Sequence, residues 1–171
     1  MVAFLPSGIT CGSSFANLNR MEALYRTMTA LCARREYCCA DIAEKLRKKG
    51  ASSEDAEVLI DRLIEEGYID EGRYARAFVH DKILYNGWGR IKVAQHLRAK
   101  GICTAYINEA MPCITDEQYA EVFQKVVRSK QRGIKGETDY EVRQKLARSL
   151  ISRGFEPSYV FENMNLEDTE E

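Results

Sequence analysis

Three stretches of this chain follow one template: Asp41-Ile-Ala-Glu-Lys-Leu-Arg-Lys-Lys-Gly50, Lys92-Val-Ala-Gln-His-Leu-Arg-Ala-Lys-Gly101 and Lys145-Leu-Ala-Arg-Ser-Leu-Ile-Ser-Arg-Gly154. Each has an aliphatic residue, an alanine, a leucine, a basic residue and a final glycine at the same offsets. The three glycines lie 51 and 53 residues apart. A period of about fifty residues predicts stacked units, each too small to bury its own apolar face. Function is therefore expected along an extended surface rather than in an active-site pocket.

The composition fits a folded protein built from helices. Of the 171 residues, 45% are hydrophobic and 30% are charged, as in folded soluble proteins. Only three prolines occur, and none interrupts a periodic apolar stretch, which favours helices throughout. No run approaches the roughly 20 apolar residues that a membrane span requires. The first 16 residues lack the basic start of a secretory signal, so a cytoplasmic location is expected.

The residues that usually carry catalysis or metal binding are not arranged for either. The six cysteines include no Cys-x-x-Cys pair, and His80 and His96 stand at no metal-ligand spacing from them. Free thiols in a reducing compartment are the expected state of the cysteines. The sequence contains no phosphate-binding glycine loop and no nucleophile elbow. We therefore predict no metal, no cofactor and no enzymatic activity.

Apolar periodicity and helix punctuation predict nine helices in an all-α fold. Thr115 to Gln118 and Thr138 to Glu141 read as capping boxes, and the three template glycines are placed to end helices. The predicted helices span 18–34, 38–49, 53–66, 71–85, 88–100, 104–111, 116–131, 139–153 and 157–164. Grouped in threes, they give three-helix repeats at 18–68, 69–113 and 114–165, between an N-terminal tail (1–17) and an acidic tail (166–171).

The central repeat resembles the RecX family of bacterial recombination regulators. The residues that carry the resemblance are Asp70, Glu71, Arg73, Tyr74 and Ala75, then Gly87, Arg90 and Ile91, and finally Leu97, Lys100, Gly101 and Ile102. The flanking repeats match more loosely, through Leu46, Lys49 and Gly50 and through Leu150, Arg153, Gly154 and Phe155. Cys38-Cys39 stands where the family usually has a serine, so a weak helix cap is expected there.

The resemblance implies three tandem three-helix repeats that form an elongated, curved array. It also implies a regulator that lodges in the groove of RecA recombinase filaments and inhibits recombinase, ATPase and coprotease activity. Single- or double-stranded DNA is a second implied partner, and a monomer is expected. Two alternatives remain open on the residues themselves: a helix-turn-helix module that binds DNA directly, and a repeat scaffold for another protein.

Charge segregates along a chain whose net charge is only −1. The stretch from Lys125 to Arg153 contains nine basic residues and three acidic ones, whereas the stretch from Glu54 to Glu71 contains eight acidic residues and one arginine. The basic run indicates either a face for phosphates or an acidic partner, or an ordinary solvated helix surface. Arg73 also reads as a local ion-pair partner, and Arg90 and Lys100 as helix-capping residues. The candidate contact residues are Arg73, Arg90, Arg98, Lys100, Arg128, Lys130, Arg132, Arg143, Lys145 and Arg153.

Aromatic residues at helical spacing are expected mostly in the core, because aromatics dominate the packing of small helical units. This set comprises Tyr74, Phe78, Tyr85, Tyr119, Phe123 and Phe155. Trp88, which stands between Gly87 and Gly89, is the expected exception, since a glycine-rich turn would present its ring for stacking.

Overall fold

Helices account for most of the chain. The computed structural model describes residues 12–136 and 138–164, with side chains from residue 17 onward. In chain order the helices are α1 Gly12–Cys32, α2 Cys39–Lys48, α3 Ser53–Glu65, α4 Glu71–His80, α5 Arg90–Ala99, α6 Thr104–Ala110, α7 Asp116–Gln131, α8 Asp139–Ser152 and α9 Pro157–Asn163. A π-helical turn, Asp81–Tyr85, continues α4, and a 3-10 turn, Met111–Cys113, follows α6. The predicted all-α class is confirmed, because these described residues contain no strand.

Some predictions concern residues outside this range. The acidic tail (166–171), most of the N-terminal tail (1–17), Cys11 and Glu137 lie outside the described residues. The other five cysteines are free thiols. Among the described helices, none combines the length and hydrophobicity needed to cross a bilayer.

Two predicted helix starts differ from the structure by two residues or more. The first helix begins at Gly12 rather than at residue 18, because no proline or further glycine interrupts the chain between Gly12 and that point. The fifth begins at Arg90 rather than at Trp88, since Gly89 is extended (φ −78°, ψ 161°) and acts as its N-cap. The Trp88 N–H donates instead to the Lys82 carbonyl, 3.0 Å away, across the preceding π-turn.

The template glycines end their helices in one way, as predicted. Gly50, Gly101 and Gly154 have φ of 81°, 83° and 89°, in the left-handed region that glycine enters without a steric penalty. The N–H of the following residue donates to the carbonyl of Leu46, Leu97 or Leu150, at 3.0, 3.1 and 3.3 Å. This satisfies a carbonyl left over at each helix end.

Side chains cap the starts of four helices where the sequence predicts caps, and the cap predicted to be weak lies at the start of α2. The Thr115 hydroxyl accepts from the Gln118 N–H at 3.3 Å, and the Gln118 side chain accepts in return from the Thr115 N–H at 3.0 Å. Ser52, Asp70 and Thr138 cap α3, α4 and α8 through their side-chain oxygens. Cys38 is the N-cap of α2, but its side chain makes no capping hydrogen bond to that helix, which confirms the weak start predicted there.

Matched template positions are buried in every repeat. The aliphatic position is Ile42, Val93 or Leu146, the leucine position is Leu46, Leu97 or Leu150, and the downstream position is Ala56, Ile107 or Val160. All nine side chains are buried. The repeat seen in the sequence is therefore a repeat of three-helix cores, in which each unit contributes the same inward-facing positions.

The chain divides into two compact units between Ile69 and Asp70. In the first, α1, α2 and α3 enclose a core that includes Met28, Ile42 and Leu63. Arg62, the one cation of the acidic stretch, lies over the Tyr25 ring at 3.6 Å and pairs with Glu22 at 3.2 Å.

The second unit contains the second and third repeats, α4 to α6 and α7 to α9. Ala75, Val79 and Ile83 line the inner side of α4 and the π-turn and are fully buried. In the third repeat an aromatic cluster forms the core, with Phe155 5.5 Å from the Tyr119 ring and 5.2 Å from the Phe123 ring, centroid to centroid. This aromatic core lies beside the turn that begins α5.

Candidate partner-binding surface

The turn before α5 lies directly against the turn that ends α8. The Gly89 N–H donates to the Arg153 carbonyl and the Ile91 N–H to the Gly154 carbonyl, both at 3.0 Å. A methyl group on Gly89 would lie 2.1 Å from the backbone of Gly154, and one on Gly154 would lie 2.2 Å from the Cβ of Lys92. Only glycine allows this approach. Two free N–H groups at the start of α5 thus find acceptors in the third repeat.

The Arg90 side chain also contacts the third repeat. Its guanidinium donates to Asp116 at 2.8 Å and lies over the Tyr119 ring at 4.1 Å. The buried Tyr119 hydroxyl accepts from the Arg90 N–H at 3.2 Å and donates to Glu156 at 2.6 Å. Burial, and then the hydrogen bond to Glu156, raise the pKa of Tyr119. The phenol therefore stays protonated and keeps both hydrogen bonds at physiological pH.

Arg153 holds the opposite side of this junction. Its guanidinium donates to the carbonyl oxygens of Asn86 and Gly87 at 3.2 and 3.3 Å. Both acceptors belong to the turn that follows the π-helix. Arg90 and Arg153, two of the predicted contact residues, therefore lie where the second and third repeats meet, and each bonds across that junction.

The π-helical turn places a tyrosine in solvent. A π-turn fits one more residue into a helical turn than an α-helix does, and such turns are frequent at functional sites. Tyr85, its last residue, is 76% exposed, and its ring forms a T-shaped pair with the His80 ring at a centroid distance of 5.7 Å. The expectation that Tyr85 lies in the core was wrong, because the π-turn changes the direction of its side chain.

Two depressions that share Lys125 and Ser129 run along α7. The first, about 220 Å³, lies between the π-turn and α7, and the second, about 360 Å³, lies on the outer side of α7. Together they are called the basic groove. Its polar and charged lining residues are Tyr85, Asn86, Lys125, Arg128, Ser129, Lys130, Arg132 and Arg153. The groove thus brings together four of the ten predicted contact residues: Arg128, Lys130, Arg132 and Arg153.

Among the described residues, the cations of the basic groove have no acidic neighbour in its lining. None of the described residues that line it is an Asp or a Glu. Within the described chain, Lys125, Arg128, Lys130 and Arg132 form no ion pair, in contrast to Lys48, Arg62 and Arg90. Three of these cations, Lys125, Arg128 and Arg132, follow one helix face at intervals of three and four residues. Such a row of unpaired cations produces a positive potential that attracts phosphate or carboxylate groups.

The remaining predicted residues are dispersed. Arg98 is exposed on α5, Lys100 caps the end of that helix, and Arg73 is exposed in the first turn of α4. Arg143 is exposed on α8, where Lys145 donates to the Lys135 carbonyl at 3.0 Å. None of these five lines the basic groove.

Trp88 is half-buried rather than presented to solvent. Its ring packs 4.7 Å from His96 and 6.5 Å from Phe78, and the Lys92 ammonium lies 4.4 Å from its centroid. The turn from Gly87 to Gly89 makes close backbone contacts instead, and the Trp88 ring packs against the second repeat. Of the two aromatic side chains, Tyr85 is the more exposed to solvent.

The third helix of each repeat lacks the charge that a recognition helix needs. Two of them, α6 (Thr104–Ala110) and α9 (Pro157–Asn163), contain no lysine or arginine. The third, α3, has only Arg62, which pairs with Glu22 and Glu66. Helix-turn-helix proteins insert this helix into the negatively charged major groove, so these helices do not support that mode of DNA binding.

The sequence alone predicted neither Tyr85 nor Ser129 to line the candidate surface. The spacing of Lys125, Arg128, Ser129 and Arg132 is that of one helical face, and this signal was available in the sequence. The exposure of Tyr85 depends on the π-turn, for which the sequence carries no recognisable pattern.

Two family models match the second unit of the chain. One describes "RecX, second three-helix domain" and covers residues 70–111; the other describes "RecX, third three-helix domain" and covers residues 116–162. Among curated proteins, the regulatory protein RecX of Halorhodospira halophila is 31% identical over 134 residues, which are 78% of this chain and 81% of that protein. The regulatory protein RecX of Pseudomonas fluorescens is 35% identical over 113 residues, 64% of this chain and 72% of that protein.

Solved structures show the same fold. A crystal structure of regulatory protein RecX superposes with a TM-score of 0.78 at 25% identity and covers 92% of this chain and 78% of that one. The crystal structure of RecX from Lactobacillus salivarius gives a TM-score of 0.71 at 17% identity, over 87% of this chain and 99% of that one. The arrangement of helices is thus shared with proteins of low sequence identity.

Proposed function

Because the chain belongs to the RecX family, we propose that it binds RecA filaments assembled on DNA and lowers their recombinase, ATPase and coprotease activity. The observation that carries this proposal is the pair of family matches over the second and third repeats. In this proposal the protein acts in the cytoplasm as a monomer. It acts by occupying a surface of the filament and carries out no catalysis itself.

The junction between the second and third repeats supports a mechanism of this kind. Backbone hydrogen bonds from Gly89 and Ile91, together with the contacts of Arg90 and Arg153, fix the two repeats to each other. A preorganised body loses less conformational entropy when it binds than a flexible chain does. Such a body, laid across neighbouring RecA protomers, would resist the subunit movements that strand exchange requires.

The decisive experiment measures ATP hydrolysis by RecA from the same organism on single-stranded DNA. We expect the protein to slow hydrolysis when it is present at far fewer molecules than RecA, because one bound molecule would affect neighbouring protomers. An absence of inhibition, or inhibition only at a large excess over RecA, would contradict the proposal and favour a scaffold for another partner.

Variants of the second repeat test whether its basic residues contact the filament. Replacing Arg90, Arg98 and Lys100 together by alanine is expected to weaken inhibition with helical content unchanged. Since Arg90 also bonds across the repeat junction, the pair Arg98→Ala and Lys100→Ala is the cleaner variant. The pair Arg47→Ala and Lys49→Ala, at the same template positions of the first repeat, is the matched control. Inhibition equal to that of the unaltered protein would show that Arg98 and Lys100 are not contacts.

A further inference from the structure

The outer face of α3 carries a line of acidic side chains. Glu54, Glu57 and Asp61 follow one another at intervals of three and four residues, so they lie along one face of the helix. All three are exposed, and within the described chain none of them forms an ion pair, in contrast to Glu66, which pairs with Arg62. These three residues are called the acidic row.

An exposed aliphatic side chain lies in the same face. Val58 is 62% exposed, and it stands four residues after Glu54 and three before Asp61, so it lies among the acids. Removing this side chain from water is favourable. A partner that pairs with the acidic row and also covers Val58 therefore fits the face best.

The complementary charges lie on α7 of the same chain. Lys125, Arg128 and Arg132, called the basic row, are also spaced by three and four residues, and they form no ion pair among the described residues. Glu57 and Asp61 are four residues apart, as are Arg128 and Arg132. Because both helices rise by about 1.5 Å per residue, two helices laid side by side close two ion pairs at once, in either relative direction.

Other occupants fit the acidic row less well. A nucleic acid is repelled by it, because both are negatively charged. Cations elsewhere in the described chain are already engaged, since Lys48 pairs with Glu44 and Arg90 with Asp116. A basic segment of an unrelated protein would neutralise the acidic row but leave the basic row without carboxylates. A second copy of this chain supplies both rows with partners of matching spacing.

We propose that the acidic row of one copy docks on the basic row of a second copy, with Val58 covered by the aliphatic stems of the arginines. The contact is heterologous, because it joins two different surfaces, and each copy keeps its second row available for a further copy. Exposed ion pairs are individually weak, and one helix face is a small interface. The free protein is therefore a monomer when dilute and associates at concentrations of about 0.1 mM and above.

On a filament the same contact has a larger effect. Copies bound next to one another along one RecA filament meet at a high effective concentration, so a contact that is weak in solution becomes occupied. This consequence rests on the proposed function. It makes inhibition of ATP hydrolysis rise more steeply than in proportion to the concentration of the protein.

Analytical ultracentrifugation of the full chain, without RecA or DNA, tests the contact. The average mass should rise with protein concentration in low salt and return to that of the monomer near 1 M salt, where the screening length is about 3 Å. Glu57→Lys with Asp61→Lys, the acidic-row variant, should weaken association about tenfold or more, because like charges then face each other. Arg128→Glu with Arg132→Glu, the basic-row variant, should do the same.

Mixing the two variants is the decisive step. The acidic-row variant presents lysines and the basic-row variant presents glutamates, so the mixture should associate although neither variant does so alone. A chain that carries all four changes should also recover association. Glu109→Lys with Glu162→Lys is the matched control, since both acids are exposed and lie on α6 and α9; it changes the net charge equally and should leave association unaltered. Circular dichroism verifies that every variant is folded.

Three results would overturn the contact: an unaltered protein that stays monomeric in low salt at concentrations well above about 0.1 mM, association that neither variant weakens, or a mixture that does not recover it. If the acidic-row variant loses inhibition of RecA but associates normally, the face of α3 contacts the filament rather than a second copy. The ultracentrifuge samples contain no RecA, so a failure of this contact leaves the proposed function standing, and an absence of RecA inhibition leaves the contact standing.

Discussion

Alanine at Gly89 is expected to separate the second and third repeats locally. The added methyl group would lie 2.1 Å from the Gly154 backbone, which no side-chain rotation relieves. The two turns must move apart, and the hydrogen bonds from Gly89 and Ile91, each 3.0 Å long, are lost. At about 1 kcal/mol for each net hydrogen bond, the free energy of unfolding should fall by about 2 kcal/mol.

Two other glycines provide internal controls for this value. Gly101 has a φ of 83° and open space around its Cβ position, so Gly101→Ala costs only the left-handed strain, about 1 kcal/mol. Gly154 combines a φ of 89° with a contact of 2.2 Å, so Gly154→Ala should cost about 3 kcal/mol. The expected order of destabilisation is therefore Gly101, Gly89 and Gly154.

Urea unfolding followed by tryptophan emission measures this series. The chain has a single tryptophan, Trp88, which packs against Phe78 and His96 in the second unit and so reports the unfolding of that unit. Circular dichroism of the same samples gives the total helix content. A Gly89→Ala variant as stable as the unaltered protein would refute the argument that direct backbone contact joins the repeats.

Three further predictions concern the side chains around the two units. Arg90→Ala should lower the free energy of unfolding by about 1 kcal/mol, through loss of its stacking on the Tyr119 ring, whereas Arg98→Ala should change it by about 0.5 kcal/mol or less; Trp88 emission in urea distinguishes them. Tyr119→Phe should cost about 1.5 kcal/mol, because it leaves the Arg90 N–H and the Glu156 carboxylate without the hydroxyl, and a cost near zero would show that water replaces it. Burial, and then the hydrogen bond to Glu66, raise the pKa of Tyr25 to about 12, above about 10 in the unfolded chain. Stability from this phenol should be complete below about pH 10 and lost as the pH rises towards about 12; if Tyr25→Phe shows the same decline in helical signal, this assignment is wrong.

The repeated cores were predictable because they depend on local signals. Gly50, Gly101 and Gly154 each follow a buried leucine by four residues, and helix termination at such a glycine needs no information from the rest of the chain. The caps at Thr115 and Asp70 are local in the same sense. Periodicity therefore predicted the helices of the described chain, although two of their starts differ by two residues or more.

The candidate surface was predictable only in part, because it depends on how turns pack. Arg128, Lys130 and Arg132 were recognisable from the density of basic residues, and the structure brings them into one groove. That Arg90 and Arg153 bond across a junction follows from Gly89 and Gly154 meeting in space, at positions 65 residues apart in the chain. Neither charge nor periodicity encodes that meeting.

The hydrogen bonds at the start of α5 make the second repeat depend on the third. N–H groups at the start of that helix donate to the carbonyl groups of Arg153 and Gly154. The third repeat therefore supplies hydrogen-bond acceptors that the second repeat needs. A truncated protein that stops after Cys113 would expose these donors together with the Gly87 to Gly89 turn. Repeats of this chain are consequently not interchangeable modules: exchanging or deleting the last one alters its neighbour, and such chimaeras should be cut after Ile69, where the compact units divide.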